Sequence, residues 1–329
     1  MATKRNTEFL NDFTVTGYVY NHSFRTGMSK PTAKWHPNER YVSGRLNVLT
    51  DDEGLNVVPV NFFVYENKTD RDGNVVPDET YKTLTQIMAG ATYEDSGTHA
   101  QKVRVTGSVD SNDFYSTRND EVVQAQRVNG RFIHIVQPGL SVTPAKFDVK
   151  AVLTSAAYRE VEGRDPFLDI RGYVFNYNGS RIFPFRCECR DSSGISFVEG
   201  LEPSSSNPAT CHVWGEIQNT VIEKPPAEQE AVTSGFGVRP TVSGYDTKTV
   251  LSWVIVGADT SDMPEFGDHA VFCREGMKRL IDERNVRLEQ VKQSGMARAG
   301  KASFGAAPVA STRAGSSAGA AVYDSDLPF

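Results

Sequence analysis

Residues 147–153, FDVKAVL, restate residues 13–19, FTVTGYV, with Phe147 and Val149 standing where Phe13 and Val15 stand. In both, apolar and polar positions alternate with period two, the pattern of a half-buried strand. Each opens a run of strand-like stretches, and the two runs correspond. In the first, YVSGRLNVLT (41–50) and NVVPVNFFVY (56–65) read as a hairpin across the turn-like DDEGL. Next comes DETYKTLTQIMA (78–89), with Tyr81, Leu84, Ile87 and Met88 at helical spacing and Asp78 placed to cap. KVRVTGSV (102–109) and GRFIHIVQ (130–137) close the run.

In the second run DIRGYVFNYN (169–178) takes the place of the second strand and IFPFRCEC (182–189) that of VVPVNFFV (57–64), each with a Pro between apolar residues. TCHVWGEI (210–217) lays Val213, Gly215 and Ile217 over Val105, Gly107 and Val109, and TVLSWVIV (249–256) supplies a fifth strand. The third connection, 191–209, has room only for a brief helix. An insertion at 223–246, rich in Pro and Gly, reads as a mobile loop.

Three strands, a helix and two strands is the plan of an OB-fold, a small five-stranded Greek-key barrel. The chain is therefore expected to be mainly β, with two tandem OB-folds at 8–140 and 146–260. A C-terminal helix over 268–293, a flexible Gly/Ala/Ser linker over 294–323 and an acidic tip at 324–329 follow. The helix carries an apolar stripe of Met277, Leu280, Ile281, Leu288 and Val291, interrupted by Arg284, and is expected to dock on a barrel.

Composition suits this plan: of 329 residues, 39% are hydrophobic and 10% aromatic, ample for folded cores. No stretch approaches the roughly 18 apolar residues of a membrane span, which excludes a spanning helix and predicts a cytoplasmic chain with no membrane partner. A net charge of −6 does not announce a nucleic-acid binder, but charge is unevenly spread. Between residues 21 and 45, Arg25, Lys30, Lys34, Arg40 and Arg45 stand against Glu39 alone, a local +4. Motifs of the GxxxxGK[ST], GxSxG and HExxH kinds do not occur, so neither catalysis nor a cofactor is expected.

The four cysteines, at 187, 189, 211 and 273, are few for a disulfide framework and read as reduced thiols. Cys187, Cys189 and Cys211 align with Phe62, Val64 and Val103, all core positions, and His212 then points away from them. A zinc site built from these four is the alternative, although the spacing is not that of a knuckle or ribbon.

Strand parity next assigns an outer surface. With Val58, Val60, Phe62 and Val64 facing the core, Asn61, Phe63 and Tyr65 face out. The same rule turns Tyr18 and Tyr20, and Tyr41, Arg45 and Asn47, outward. In the second unit it turns Arg171, Tyr173, Phe175 and Tyr177 out from one strand, Arg186 and Arg190 from the next, and Trp214 from the fourth. The first loop adds Arg25, Lys30, Lys34, Trp35 and Arg40. Aromatic rings interleaved with basic residues suit single-stranded nucleic acid, whose bases have their flat faces available for stacking and whose phosphates attract Arg and Lys. Exposed aromatics also serve cross-strand pairing, which accounts for any one of them but less well for several on one face.

The last six residues, Asp324-Ser325-Asp326-Leu327-Pro328-Phe329, follow about thirty residues of Gly, Ala and Ser. An oligonucleotide-binding barrel, a flexible linker and an acidic tip ending in Leu-Pro-Phe together resemble the single-stranded-DNA-binding proteins of bacteria and their phages. Two barrels in one chain look more like the tandem arrangement of some bacterial extremophiles, or a bacteriophage-encoded version, than like the common bacterial protein, which has a single barrel and a shorter chain. The phage version is favoured because the familiar bacterial N-terminal strand motif is lacking. The resemblance implies sequence-independent single-stranded DNA binding in replication, recombination and repair, in the host cytoplasm. It also implies recruitment of replication and recombination proteins through Asp324, Asp326, Leu327, Pro328 and Phe329, and leaves a homo-oligomer open. The alternative is a structural or adaptor protein, of virion type, whose barrels hold other proteins.

Overall fold

The computed structural model describes residues 8–70, 72–137, 139–161, 164–223 and 247–302. In chain order the elements are β1 (Asn11–His22), β2 (Arg25–Met28), β3 (Arg40–Leu49), β4 (Val57–Tyr65), β5 (Asn67–Thr69), β6 (Val75–Pro77), α1 (Glu79–Met88), α2 (Tyr93–Ser96), β7 (Lys102–Ser116) and β8 (Glu121–Val136). There follow β9 (Thr143–Val161), β10 (Arg164–Phe175), β11 (Ile182–Cys189), α3 (Ser192–Gly200), β12 (Ala209–Glu223), β13 (Thr247–Asp259) and α4 (Arg274–Ala302).

The first barrel closes through its pairings. β3 lies antiparallel between β1 and β4, β7 antiparallel between β1 and β8, and β4 meets β8 in parallel at Val60 and Val128. The second barrel repeats this with β9, β10, β11, β12 and β13, including the parallel contact, here Glu188 with Val254. A helix separates third and fourth strands in each: α1, capped by the Asp78 carboxylate on the Thr80 N–H at 2.7 Å, and α3, capped by Asp191 on the Gly194 N–H at 2.9 Å. Such a cap stabilises a helix by about 1 kcal/mol. The chain is thus mainly β, with two OB-folds in tandem.

The barrels are not merely strung together. β1 and β9, the first strands of each, pair antiparallel, with Phe13 opposite Phe147. One hydrophobic core consequently runs through both units, from Val19 and Leu46 across Phe13 and Phe147 to Phe185 and Trp253. Buried Asn11 bolts the joint: its amide donates to the carbonyls of Val109 at 3.0 Å and Phe175 at 2.8 Å, and its oxygen accepts the Val109 N–H at 2.8 Å. One side chain thereby satisfies backbone groups of both barrels.

Several strands exceed their expected lengths. β7 and β8 were expected to end near 109 and begin near 130, yet they continue as one hairpin through 116 and 121. The extension stands clear of the first barrel and lies across β11 and α4, where its polar residues find partners. There Arg284 donates to Asp113 at 2.8 Å, to Gln124 at 3.0 Å and to Ser111 at 3.3 Å. That contact explains why the apolar stripe of α4 is broken by an arginine. The first loop is likewise not wholly irregular, since β2 forms within it and pairs with β3.

The C-terminal helix begins at Arg274, six residues later than expected, and runs to Ala302. Residues 294–302 are therefore helical where a flexible linker was expected. Met, Ala, Arg and Lys are good helix formers, and Gly295 lies against Tyr115, where a side chain would not fit. Residues 224–246, 303–323 and the tip 324–329 lie outside the described residues. Among the described residues no helix is long and apolar enough to cross a membrane.

Candidate nucleic-acid interface

Strand register sets out the outer surface of β2, β3 and β4 in rows. Arg25, Ser43 and Phe63 form one row, Gly27, Tyr41 and Tyr65 the next, and Arg45 with Asn61 a third. The parity read from sequence holds here, with Val42, Leu46, Val58, Val60 and Phe62 in the core and their neighbours turned away from it. Being turned away is not the same as being exposed. Tyr41 is buried, its ring occupying the space a Cβ at Gly27 would need and packing 5.0 Å from Phe63. It supports the neighbouring rings and offers no stacking face, contrary to expectation.

Tyr18 is also buried, beneath α2. The Tyr93 ring lies 5.4 Å from that of Tyr18 and 6.2 Å from that of half-buried Tyr20, and the Lys102 ammonium sits 4.5 Å from the centre of the Tyr18 ring. These contacts remove Tyr18 from the interface and engage Tyr20 from one side. The cover is a helix of four residues, too short to leave a periodic signal in the sequence.

What remains at the surface is a compact group. Half-buried Phe63 and Tyr65 meet edge to face at 5.1 Å, and His36 stacks on Tyr65 at 4.3 Å and 15°. The loop carrying His36 is held down by Glu39, whose carboxylate accepts the Asn67 N–H at 2.8 Å and pairs with His36 Nδ1 at 2.5 Å. Ser29 adds a second fastening, accepting the Glu39 N–H at 2.8 Å and donating to the His36 carbonyl. His36 and Asn38 adopt left-handed backbone with φ of 54° and 55°, which turns the chain back on itself. Burial, and next to it the Glu39 charge, push the Tyr65 hydroxyl pKa above its ordinary value. Arg25, Lys30, Lys34, Arg40 and Arg45 are exposed around this group. Trp35 is 68% exposed, with the Lys34 ammonium 5.6 Å from its ring. His36 shares the basic, aromatic loop with Trp35 but was not among the residues expected to bind a strand.

On the second barrel the equivalent rows are Asp169 with Glu188, Arg171 with Arg186, Tyr173 with Pro184 and Phe175 with Ile182. Pro184 stands opposite Tyr173 as Pro59 stands opposite Asn47, so the alignment on the prolines holds. The Asp169 carboxylate is buried yet receives Arg186 Nε at 2.6 Å and Arg171 Nη2 at 2.9 Å, with Arg159 Nε at 3.6 Å. Burial works to raise its pKa, but the hydrogen bonds and charges of Arg186 and Arg171 outweigh this and hold it below the ordinary carboxylate value. Beside it Glu188 receives Arg164 Nη2 at 2.7 and 2.8 Å and Arg190 Nε at 3.0 Å. Arg159 and Arg164 belong to this cluster and were missed, because each lies on a stretch whose strand was not foreseen.

Tyr173 and Phe175 do point outward, but into a cover. Phe175 is fully buried against Phe272 at 5.0 Å and Phe9 at 5.6 Å, under Met277 and Leu280 of α4, and Tyr173 packs against the same cluster. This corrects their expected role: the outward ring face of β10 is where α4 docks. Tyr177 is 69% exposed in the turn after β10. Trp214 is not brought to the arginines. It pairs with Asp148 of β9, whereas Arg171 pairs with Ser155, and it lines a separate recess of about 380 Å³ with Asp12, Thr14, Lys146 and Glu216.

β8 links the two faces. Asn61 Nδ2 of the first donates to the Val128 carbonyl at 3.2 Å, and the Arg186 backbone N–H of the second donates to Gln126 Oε1 at 2.6 Å.

Cys187, Cys189 and Cys211 are core residues, as their alignment indicated. Burial pushes the Cys187 thiol pKa well up and that of Cys211 to about 12. His212 is turned to Asp148, at 2.6 Å, and Asp262, at 3.3 Å. Among the described residues no group of three or more His, Cys, Asp or Glu is placed to hold a metal ion.

Residues 11–294 match the profile of the YorF family. The chain belongs to the YorF family. The match starts at the first residue of β1 and ends within α4, so it takes in both barrels and the helix that covers Phe175. No curated protein matches the chain in sequence. Among solved structures it is similar to the wild-type single-stranded DNA-binding protein from Thermus aquaticus, at 10% identity and a TM-score of 0.42 over 76% of this chain and 92% of that one. A deletion mutant of the same Thermus aquaticus protein gives 10% identity and a TM-score of 0.43, over 76% of this chain and 93% of that one.

Proposed function

We propose that this YorF-family chain binds single-stranded DNA without sequence preference and without catalysis, covering strands exposed in replication and recombination. The observation that carries the reading is the ring group of Phe63, Tyr65 and His36 on the first barrel, set among Arg25, Lys30, Lys34, Arg40 and Arg45. Rings at such a surface stack with unpaired bases, each contributing on the order of 1 to 3 kcal/mol whatever the base. The surrounding cations neutralise phosphates and release counterions. The net charge of −6 is no obstacle, because a local field governs encounter with a polyanion. The acidic tip at 324–329 is proposed to recruit partner proteins in the same processes.

Tryptophan fluorescence titration with oligo-dT and with duplex DNA, at several salt concentrations, tests the reading, with Trp35 placed beside the ring group as reporter. Oligo-dT should be preferred, and log affinity should fall with log salt at a slope of about −0.7 per phosphate contact. Equal affinity for duplex, or no binding of either, overturns it and leaves the protein-adaptor alternative.

A further inference from the structure

The two candidate faces occupy equivalent rows and differ in chemistry. Counting from the paired prolines, Phe63 corresponds to Glu188 and Tyr65 to Arg190, while Ser43 and Arg45 correspond to Asp169 and Arg171. Where the first barrel presents rings, the second presents a carboxylate and a guanidinium. The aromatic residues the second barrel does place on its outer rows, Tyr173 and Phe175, lie in the cluster beneath α4. Phe167, the counterpart of Tyr41, is buried with the Arg164 guanidinium 4.8 Å from its ring. Of the exposed rings, Tyr158 lies opposite core Leu168, on the other face of β9 from Arg159, and Tyr177 stands in the turn beyond the end of β10.

The cluster itself holds five guanidiniums, of Arg159, Arg164, Arg171, Arg186 and Arg190, against two carboxylates, a local +3. The side chains of Asp169 and Glu188 are 1% and 8% exposed, whereas those of Arg159, Arg171 and Arg186 are 50%, 51% and 60% exposed. Arg164, at 9%, lies level with the two anions and Arg190, at 35%, is partly covered, so the cations that stand above are Arg159, Arg171 and Arg186. Arg186 meets Asp169 through Nε, on the inner side of its planar fork. Like charges held this close repel, and a further anion above them relieves the repulsion. Guanidinium forks also match phosphate geometry.

We infer that the arginine cluster of β9, β10 and β11 is a phosphate-only subsite, which takes the sugar–phosphate backbone of a bound strand without engaging its bases. The inference rests on the single-strand reading above. It assigns base stacking to the first barrel and backbone neutralisation to the second.

The test uses the full chain with two probes of equal length, oligo-dT and an abasic oligomer of tetrahydrofuran-phosphate units. Arg171→Gln with Arg186→Gln should weaken both probes by the same factor, at least about fivefold, and flatten the salt slope by about 1.4, two contacts at roughly 0.7 each. Phe63→Ala should weaken oligo-dT at least about fivefold and leave the abasic probe unchanged. If the double variant does not fold, Arg159→Gln serves instead, since Asp169 keeps Arg171 and Arg186; it should flatten the slope by about 0.7. Arg171→Lys with Arg186→Lys retains the charge and should keep the wild-type slope. An arginine-to-glutamine variant that holds the abasic probe as tightly as the wild type, or that loses oligo-dT more than the abasic probe, overturns the inference while the wild type still binds oligo-dT. A wild-type chain that ignores oligo-dT overturns the reading beneath it.

Discussion

Phe13 lies directly opposite Phe147 where β1 pairs with β9, and the two are equivalent residues of the internal repeat. Asp12 faces Asp148 and Thr14 faces Lys146, so a local two-fold axis relating β1 to β9 passes between the two rings. Each ring is buried in the core common to both units. Phe147 also packs on Trp253 at 5.3 Å and Phe185 at 5.8 Å, so Phe147→Ala should cost about 3 to 5 kcal/mol. The loss should appear in one urea transition, with the same midpoint by far-UV circular dichroism and by tryptophan fluorescence. Two separated transitions would show that the barrels unfold independently.

Tyr41 and Phe63 touch, yet they should respond differently to truncation. Buried Tyr41 fills the space beside Gly27, and Tyr41→Ala should lower stability by about 3 kcal/mol. Phe63→Ala removes a half-exposed ring, and should lower stability by less than about 1 kcal/mol while weakening oligo-dT by about 1 to 3 kcal/mol. Denaturant melts and oligo-dT titrations on both variants separate the two roles. Equal effects of the two on binding, with stability unchanged, would return Tyr41 to the interface.

The Asp169 carboxylate has its folded pKa below its ordinary value of 3.8, because Arg186 and Arg171 stabilise the charged form more than burial opposes it. A depressed folded pKa contributes stability that is fully present above 3.8 and is lost as pH falls through the folded value. The stability difference between wild type and Asp169→Asn should therefore be constant from pH 7 to about pH 5 and shrink below pH 4. Urea melts at each pH measure it. A difference that grew on acidification would mean that Asp169 is not the charged partner of these arginines.

Removal of residues 324–329 takes away Asp324, Asp326 and the Leu327-Pro328-Phe329 end. On the recruitment proposal oligo-dT affinity is unchanged or rises, since acidic groups no longer compete for the basic face, while capture of replication and recombination proteins fails. Oligo-dT titration and pull-down on the truncated chain check both halves. Loss of DNA binding on truncation would contradict the assignment.

Strand parity was readable because one side of each barrel strand faces the core, so Val42, Leu46, Val58 and Val60 announce the inner face by alternation alone. The repeat was readable for the same reason, down to the two prolines. Parity says nothing of a second layer laid over the outer face. Tyr18, Tyr41 and Phe175 all point outward, and all are covered by elements distant in sequence or too short to have a period: α2, β2 and α4. The far half of the β7–β8 hairpin was missed because its polar alternation has no core beneath it. It becomes a strand by resting on β11 and α4. His36 gained its place through Glu39 and Ser29, a fastening visible only once the loop has closed.

The two-fold axis between Phe13 and Phe147 has a bearing on any directional ligand. A nucleic-acid strand has a 5′ and a 3′ end, and a path that runs toward the axis over one barrel must run away from it over the other. On the proposed binding the second barrel would meet the strand in reversed polarity, and the contacts of the first could not simply be repeated there. Stacking geometry is sensitive to the order of base and sugar along the chain; the attraction between a guanidinium and a phosphate is much less so. Symmetric barrels serving one asymmetric strand have reason to diverge, rings on one side of the axis and arginines on the other.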